Sequence, residues 1–340
     1  MRTKQTQIIC TIGPASNKED TIAQMARVGM NIARVNCSHG GAEGNRHVFE
    51  VLKKTREKHG LDFKIMLDTK GPDVRIGTFK EGGVDLKSGD IFTLTTDECE
   101  GTKNRVWINC PPLPKKVAVG QPILLSDGMI HVVVTEVKGN DVITKIEIGG
   151  RLTDRKTAFA PNCDLGLPFM ADYDKHDLIL GKKYGAELVA ASFVGNGADL
   201  DEMNEFMRKN KCEMPIISKI ESSDGIKNLD EILQRTWGIM VARGDLGVEY
   251  PIEQIPTLQK LIVTKTREVG KFCVVATEMM ESMVSRPRPT RAEVTDVANA
   301  VWQDASAVML SAESATGNFP VETVTYMSKI VMEAEKSKTN

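Results

Sequence analysis

The sequence has little that favours a nucleic-acid or membrane partner. Aromatic residues make up only 5% of the 340 residues, and the formal net charge is −2. Nucleic-acid-binding proteins usually carry basic patches or aromatic stacking surfaces, and this composition is rich in neither. No apolar run approaches the roughly 20 residues that span a bilayer, and the first residues lack the apolar segment of a signal peptide. We therefore expect a cytoplasmic protein that binds neither nucleic acid nor a membrane.

Several cofactor and phosphate-binding motifs are also missing. The seven cysteines form no C-x-x-C pair and the five histidines show no metal-ligand spacing, so neither a zinc site nor a disulfide framework is indicated. The sequence contains no G-x-x-x-x-G-K-[ST] motif, and no G-x-G-x-x-G follows the first predicted strand. A nucleotide would therefore be bound by neither a P-loop nor the usual dinucleotide motif.

Short apolar runs alternate with amphipathic helical patterns before residue 73 and after residue 161. Strands that alternate with helices in this way form parallel sheets. The predicted strands begin near Ile8, Ile32, Phe63, Leu188, Ile216, Ile239, Phe272 and Ala307. We predict an α/β fold in which these strands close into a (β/α)8 TIM barrel, with an open doubly wound sheet as the alternative.

Residues 73–161 show a different pattern. Short strand-like runs, the first over Val74–Phe79, are separated by frequent glycines and replace the helices. This pattern predicts a small all-β domain inserted into the barrel. Without it, the remaining chain has about the 250 residues that are typical of a TIM barrel. We therefore predict a catalytic barrel formed by residues 1–72 and 162–340 and an inserted β-barrel lid formed by residues 73–161.

Charged or hydroxyl residues directly follow most of the predicted barrel strands. The active site of a TIM barrel lies at the carboxyl ends of its strands, where such residues would meet. Lys219 and Glu221 end one strand on the same face because strand side chains alternate with a period of two. Asp245 follows the next strand. Two carboxylates and a lysine would suit a hard divalent cation and an anionic substrate.

Each polar residue at the end of a predicted strand, taken alone, also has an ordinary structural explanation. Arg34 could form an ion pair with Asp68, and Glu278 and Glu313 could be acids at helix N-termini. The tripeptide Arg243–Asp245 also spells an adhesion motif, which a buried strand end disfavours. The complete set of polar strand ends nevertheless favours an active site over a purely structural rim.

Six motifs, in order along the chain, resemble those of the pyruvate kinase family. They are Thr11–Ser16, Ala33–Gly40, Leu67–Pro72, Ile217–Glu221, Met240–Gly247 and Arg288–Glu293. The resemblance implies a glycolytic phosphotransferase that transfers a phosphoryl group from phosphoenolpyruvate to ADP, giving pyruvate and ATP. It also implies that the inserted domain is the family's lid.

The resemblance further implies roles for individual residues. The implied ligands of Mg²⁺ or Mn²⁺ are Glu221 and Asp245, and those of K⁺ are Asn36, Ser38, Asp68 and Thr69. The implied catalytic residues are Lys219, Thr277 and Arg34. The substrate would contact Arg34, Lys219, Thr277 and the backbone of Ala242, Arg243, Gly244 and Asp245. The implied nucleotide contacts are Arg75, His39, Asn36 and Lys156, and the implied lid acid is Asp127.

Some positions depart from the family pattern. Glu278 replaces the usual glutamine, Asp73 replaces the usual glutamate, and the stretches 157–162 and 311–314 differ from the usual sequences. The family's C-terminal regulatory domain also has no counterpart in the sequence. We therefore expect a homodimer or a monomer rather than the usual tetramer, and no response to fructose 1,6-bisphosphate at the usual site.

Two other functions fit part of the pattern. A magnesium-dependent barrel lyase acting on pyruvate or phosphoenolpyruvate would share the metal site, but it would not need the nucleotide residues Arg75 and Lys156 or the lid. A non-catalytic sensor could bind phosphoenolpyruvate, but Lys219 and Thr277 are not needed merely to hold a metal. A phosphotransferase explains the whole set.

Overall fold

The structure is a computed structural model that describes residues 4–161 and 163–338. Within these residues the strands are β1 Gln7–Thr11, β2 Ile32–Asn36, β3 Lys64–Asp68, β4 Gly83–Leu86, β5 Ile91–Thr95, β6 Arg105–Trp107, β7 Pro122–Leu125, β8 Ile130–Lys138, β9 Asp141–Ile148, β10 Gly150–Thr153, β11 Ala158–Phe159, β12 Leu188–Ala191, β13 Ile216–Ile220, β14 Gly238–Ala242, β15 Phe272–Ala276 and β16 Ala307–Leu310.

The α-helices of the same residues are α1 Glu19–Val28, α2 Gly41–Gly44, α3 Arg46–His59, α4 Leu113–Lys116, α5 Asp172–Tyr184, α6 Gly197–Lys209, α7 Ser223–Lys227, α8 Leu229–Arg235, α9 Arg243–Glu249, α10 Ile255–Glu268, α11 Arg291–Trp302, α12 Ala312–Ala315 and α13 Pro320–Ser337. Two short 3₁₀ helices cover Ile252–Gln254 and Glu281–Val284.

Eight of the strands form a closed parallel barrel in the order β1, β2, β3, β12, β13, β14, β15, β16, and β16 pairs back with β1. The TIM barrel prediction is therefore confirmed, and the open doubly wound sheet is excluded. These strands are apolar on both faces because helices cover the outside and side chains fill the inside. Met66, Ile217 and Met240 belong to the buried cluster inside the barrel.

The helix ends follow the local sequence. The Thr290 hydroxyl caps α11 by accepting a hydrogen bond from the Glu293 amide at 3.2 Å. The Glu293 carboxylate in turn accepts a hydrogen bond from the Thr290 amide at 2.7 Å. This reciprocal pair satisfies amides that the first helical turn leaves free. Gly60 ends α3 with a φ of 58°, a left-handed conformation that glycine adopts without a Cβ clash. These caps fix where the helices around the barrel begin and end.

The chain divides into two compact units. The first comprises Met1–Gly71, Phe169–Leu246 and Glu253–Asn340, and the second comprises Pro72–Pro168 and Gly247–Ile252. The predicted lid segment lies within the second unit. The boundaries at residues 72 and 73 and at residues 161 and 162 stay a prediction, and position 162 lies outside the described residues.

The second unit is built mainly from β-structure, as the sequence predicts, but its described strands form two separate sheets rather than the predicted closed β-barrel. A six-stranded sheet has the order β11-β7-β8-β9-β5-β6, and a two-stranded sheet pairs β10 with β4. The predicted strand over 74–79 is wrong, because this segment forms only isolated bridges. The Ile76 amide donates to the Lys156 carbonyl, whereas the next amide, of Gly77, donates to the Trp107 carbonyl. Because successive hydrogen bonds go to different segments, no continuous ladder forms.

Candidate active site

Arg34, in the middle of β2, and Asp68, the last residue of the neighbouring strand β3, form a buried ion pair. The Arg34 Nε donates to Asp68 Oδ2 at 2.6 Å, and Arg34 Nη1 donates to Thr11 Oγ1 at 2.9 Å. Burial by itself would raise the pKa of Asp68, but the charges of Arg34 and Lys219 outweigh it and hold this pKa below its usual value. The ion pair considered from the sequence is therefore present, and it orients the Arg34 guanidinium at the strand ends.

Lys219 lies between two carboxylates at the end of β13. Its Nζ is 3.1 Å from Asp68 Oδ1 and 3.0 Å from Glu221 Oε1, and it also donates to Ser192 Oγ at 2.7 Å. Burial would lower the pKa of Lys219, but the charges of Asp68 and Glu221 hold it above its usual value. The lysine is thus a fixed, permanently charged ammonium group at physiological pH.

Glu221 is a buried carboxylate, and each of its two oxygens has a partner. Oε1 faces Lys219, and Oε2 accepts a hydrogen bond from the Phe193 amide at 2.7 Å. Burial raises the pKa of Glu221, and the charge of Asp245 raises it further, whereas Lys219 opposes this shift. A carboxylate that repels a second carboxylate in this way would be stabilised by a cation between or beside them.

Asp245 lies in the first turn of α9, directly after β14, and its side chain is exposed. Among the described residues no group of three or more His, Cys, Asp or Glu could hold a metal ion. Mg²⁺ is usually bound through one or two carboxylates, with water and substrate oxygens completing its shell. The donor set of Glu221 and Asp245 therefore suits a hard divalent cation.

The residues implied for a K⁺ site lie at the ends of β2 and β3. Asn36 and Asp68 are register partners, and Asn36 Oδ1 accepts a hydrogen bond from the Ser38 amide at 3.1 Å. Thr69 is buried, and its carbonyl accepts a hydrogen bond from Ser192 Oγ at 2.7 Å. The donors are hydroxyl, amide, carboxylate and carbonyl oxygens, which suit a hard cation. Asp68 belongs to this group as well as to the ion pairs with Arg34 and Lys219.

Thr277 lies directly after β15 and contacts the start of α9. Its Oγ1 accepts a hydrogen bond from the Gly244 amide at 2.8 Å and donates to the Ala276 carbonyl at 2.6 Å. The Arg243 guanidinium contacts the protein rather than projecting freely, since Nη2 donates to the Thr277 carbonyl at 2.5 Å and Nη1 contacts Asp296 at 2.7 Å. At Arg243, only the backbone is therefore a candidate for substrate binding.

The residues implied for nucleotide binding are divided between the two units. His39 is exposed after β2, where its carbonyl accepts a hydrogen bond from Asn45 Nδ2 at 2.7 Å. In the second unit, Arg75 forms an ion pair with Asp73 and donates to the Arg155 carbonyl at 2.9 Å. The other two residues implied on the lid, Lys156 and Asp127, belong to the second unit too.

Asp127 has a φ of 55°, and its conformation is held by Thr157. The Asp127 amide donates to Thr157 Oγ1 at 2.9 Å, and that hydroxyl donates to Asp127 Oδ1 at 2.8 Å. The carboxylate is exposed. The departure from the family pattern at residue 157 thus supplies a hydroxyl that orients the implied lid acid.

Some residues of the site were missed from the sequence. Ser192 directly follows β12 and carries the same signal as the other polar strand ends, so it could have been found. Asp296 and Gln259, which bind the Arg243 guanidinium, lie within α11 and α10 and carry no such signal.

The part of the chain that the structure describes contains no helix that is long and apolar enough to cross a membrane.

The comparisons with known proteins all lead to one family. Residues 3–324 match the family model described as pyruvate kinase, barrel domain. The chain is 41% identical over 334 residues to the pyruvate kinase of Clostridium perfringens, and the aligned region covers 98% of this chain and 70% of that protein. It is 41% identical over 333 residues to the pyruvate kinase of Thermotoga maritima, covering 98% of this chain and 72% of that protein. It spans only 58% of the Bacillus licheniformis pyruvate kinase, at 39% identity.

A solved structure shows the same fold. The crystal structure of a pyruvate kinase from Cryptosporidium parvum matches with a TM-score of 0.92 and 38% sequence identity, over 98% of this chain and 70% of that chain. The closed barrel agrees with these similarities, and the chain therefore belongs to the pyruvate kinase family.

Proposed function

We propose that this chain catalyses the reaction of its family, in which phosphoenolpyruvate, ADP and a proton give pyruvate and ATP in glycolysis. The observation that carries the proposal is the buried Lys219 ammonium, held 3.1 Å from Asp68 and 3.0 Å from Glu221 beside Arg34. Phosphoryl transfer depends mainly on positioning and on neutralising the charge of the phosphoryl oxygens. A fixed ammonium and a fixed guanidinium at the carboxyl ends of barrel strands provide both.

Glu221 and Asp245 would hold a divalent cation, Mg²⁺ or Mn²⁺, at this site. When bound, such an ion neutralises charge on the transferred phosphoryl group and on the substrate oxygens. Glu221 is suited to this role because it is anchored by Lys219 and by the Phe193 amide, so its position is fixed before any ligand arrives. Asp245 is exposed and free to face the ligand.

Arg34 and Lys219 would bind the phosphoryl group from the protein side. The guanidinium is held by Asp68 and Thr11, so it offers its remaining donors in a fixed orientation. The ammonium would remain close to the developing enolate oxygen and stabilise its negative charge. The oxygen atoms of Asn36, Ser38, Asp68 and Thr69 would bind K⁺ beside this group, which adds a further positive charge near the phosphoryl oxygens.

Thr277 and the backbone of residues 242–245 would bind the other end of the substrate. The substrate carboxylate would lie against the backbone at the start of α9, where the helix dipole favours an anion. The Thr277 hydroxyl, which contacts the Gly244 amide at 2.8 Å, would lie on the side from which the enolpyruvate receives its proton. Phosphoryl transfer and proton delivery are thus assigned to different residues.

His39, Asn36, Arg75 and Lys156 would contact the nucleotide, and Asp127 would be the acid of the lid. Arg75 is held by Asp73 and by the Arg155 carbonyl, which orients its guanidinium. A cytoplasmic location and a homodimeric or monomeric state stay predictions. Light scattering of the purified chain measures the second of these.

A coupled assay tests the proposed function. The purified chain is mixed with phosphoenolpyruvate, ADP, Mg²⁺ and K⁺, and pyruvate is measured through a reporter dehydrogenase. We expect pyruvate and ATP in equal amounts, and none when ADP is omitted. Binding of phosphoenolpyruvate without any pyruvate would contradict the proposal and favour a sensor. Pyruvate formed without ADP would favour a different reaction at the same site.

A further inference from the structure

Two consecutive residues after β15 have a left-handed backbone. Thr277 has a φ of 69° and Glu278 a φ of 54°. This region is sparsely populated by residues other than glycine and is unfavourable for a β-branched residue such as threonine, because its Cβ crowds the following carbonyl. Such conformations persist only where surrounding contacts hold them, and they are found frequently at functional sites. The contacts that hold Thr277 come from Arg243 and Gly244 at the start of α9.

The Arg243 guanidinium holds the carbonyl groups on either side of this turn. Nε lies 3.2 Å from the carbonyl oxygens of both Ala276 and Thr277, and Nη2 donates to the Thr277 carbonyl at 2.5 Å. Next to Arg243 in sequence, the Gly244 amide donates to Thr277 Oγ1 at 2.8 Å. The start of α9 therefore fixes both the backbone and the hydroxyl of Thr277.

Asp296 fixes the Arg243 guanidinium in turn. Both of its carboxylate oxygens accept from Arg243 Nη1, at 2.9 and 2.7 Å. Gln259 accepts from the same nitrogen at 3.3 Å and donates through Nε2 to Gln303 at 3.0 Å. The Arg243 side chain is only 13% exposed and that of Asp296 is 32% exposed, so this ion pair is partly shielded from water. Without this carboxylate, Nη1 would keep Gln259, at 3.3 Å, as its described partner, and the guanidinium would be held less tightly in its orientation.

We propose that Asp296 is a positioning residue that acts through Arg243 to hold the Thr277 hydroxyl in place for the reaction. This inference rests on the proposed function, because it assigns the Thr277 hydroxyl to the proton-delivery side of the substrate. It adds a residue on helix α11, rather than one at a strand end, to the groups on which turnover depends. Asp296 itself touches neither the metal ligands nor the phosphoryl-binding residues among the contacts described above.

The variant Asp296→Asn tests the proposal, because asparagine keeps the shape of the side chain and removes its charge. A misplacement of about 1 Å at a reacting group can lower a rate by about 100-fold. We therefore expect kcat to fall by about 10- to 100-fold while KM for phosphoenolpyruvate changes by less than about threefold, since Arg34 and Lys219, which would bind the phosphoryl group, keep their own partners. The exchange of pyruvate methyl protons with solvent, followed by NMR in D₂O, should slow in parallel.

The matched control is Asp201→Asn. Asp201 on α6 accepts from Arg235 Nε at 3.2 Å, which is also an aspartate–arginine pair on the outer helices of the barrel. This variant should retain wild-type kcat and KM. Both variants should show thermal unfolding midpoints close to that of the wild type. An effect on kcat that appears equally in both variants would overturn the proposal, because loss of any such ion pair would then suffice.

A double-mutant cycle shows whether Asp296 acts through Arg243. If it does, Arg243→Lys alone should lower kcat, and adding Asp296→Asn should lower it no further. Independent effects whose fold-changes multiply would overturn the proposed route. Unchanged kcat in Asp296→Asn would overturn the positioning role altogether.

Hydrogen exchange separates this inference from the proposed function. The Gly244 amide, which is bonded to Thr277 Oγ1, should exchange faster in Asp296→Asn than in the wild type, whether or not the protein turns over substrate. A wild-type chain that forms no pyruvate would refute the proposed function alone. Unchanged protection of the Gly244 amide would refute the positioning role alone.

Discussion

Replacing Lys219 by methionine removes the positive charge between two buried carboxylates while keeping most of the side-chain volume. In the wild type, Lys219 Nζ is 3.1 Å from Asp68 and 3.0 Å from Glu221, and both carboxylate side chains are 1% exposed. Asp68 keeps its ion pair with Arg34 at 2.6 Å. The loss therefore falls mainly on Glu221, whose remaining described partner is the Phe193 amide.

The stability of Lys219→Met should depend on pH. Leaving a buried charge without its partner typically costs about 3–5 kcal/mol in the free energy of unfolding. Burial already raises the pKa of Glu221 above its usual value, and the lost lysine charge would raise it further. A carboxyl whose folded pKa is raised favours the folded state below that pKa and loses this contribution as the pH rises through it. Because the pKa of Glu221 is already raised to about 8 in the wild type, the deficit relative to wild type should grow as the pH rises above 8 and should be larger at pH 9 than at pH 6.

The activity of the same variant should separate the two halves of the reaction. Removing one preorganised group that stabilises developing oxyanion charge typically lowers kcat by about 100- to 1,000-fold. We expect a loss of at least this size in ATP and pyruvate formation. Exchange of the pyruvate methyl protons should remain measurable, because Thr277 rather than Lys219 is assigned to proton delivery. Denaturant unfolding at both pH values, the coupled assay and NMR exchange measure these outcomes.

The control is Lys265→Met, which breaks an exposed pair. Lys265 donates to both oxygens of Asp230, whose side chain is 74% exposed. Such surface pairs contribute between 0 and about 1 kcal/mol, so stability and turnover should change little. Transfer activity that persists in Lys219→Met while proton exchange disappears would reverse the roles assigned to Lys219 and Thr277. Equal destabilisation in the two variants would contradict the account of the buried charges.

Three further outcomes are expected. Glu221→Gln and Asp245→Asn should each weaken Mg²⁺ binding, measured calorimetrically, and lower kcat by orders of magnitude while the far-UV spectrum stays unchanged; normal activity at limiting Mg²⁺ would contradict the metal assignment. Most activity should disappear in buffers free of K⁺ and NH₄⁺ and return with KCl, whereas full activity without either ion would contradict the K⁺ site. Thiol reagents should modify the half-exposed Cys99 and Cys163 of the native protein before the five buried cysteines. Burial makes a thiol less reactive because it limits access and raises the thiol pKa, as at Cys273, where the pKa is about 12. Rapid labelling of all seven cysteines in the native protein would contradict this expectation.

The barrel could be predicted from the sequence because its signal is repeated. Each strand is a short apolar run buried on both faces, and eight such runs alternate with helices of matching period. The segment 74–79 has similar composition but is not a regular strand. Its backbone groups bind several different segments in turn, and this tertiary arrangement leaves no mark in local periodicity. The helix that begins at Arg243, directly after β14, was not predicted either, because Gly244 and Gly247 weaken the helical pattern.

The candidate site also contains residues that could be predicted from the sequence and residues that could not. Arg34, Asp68, Lys219 and Glu221 could be found because a polar residue directly after a buried apolar run is conspicuous, and a parallel barrel brings such positions together. Asp296 differs because it lies within an amphipathic helix, where a carboxylate facing the barrel rim and one facing solvent look alike in sequence. Only the three-dimensional contact with Arg243 identifies it.

The charges at the strand ends explain why a metal and an anionic substrate would bind together. Asp68, Glu221 and Asp245 carry three negative charges when ionised, against the two positive charges of Arg34 and Lys219. With all three acids ionised, the five groups would leave one negative charge unbalanced, which would repel a phosphate ester. A divalent cation beside Glu221 and Asp245 would reverse the sign of the balance and turn the same site attractive. Each ligand thereby favours the other through a common electrostatic field, and a buried site amplifies this coupling because water screens it poorly.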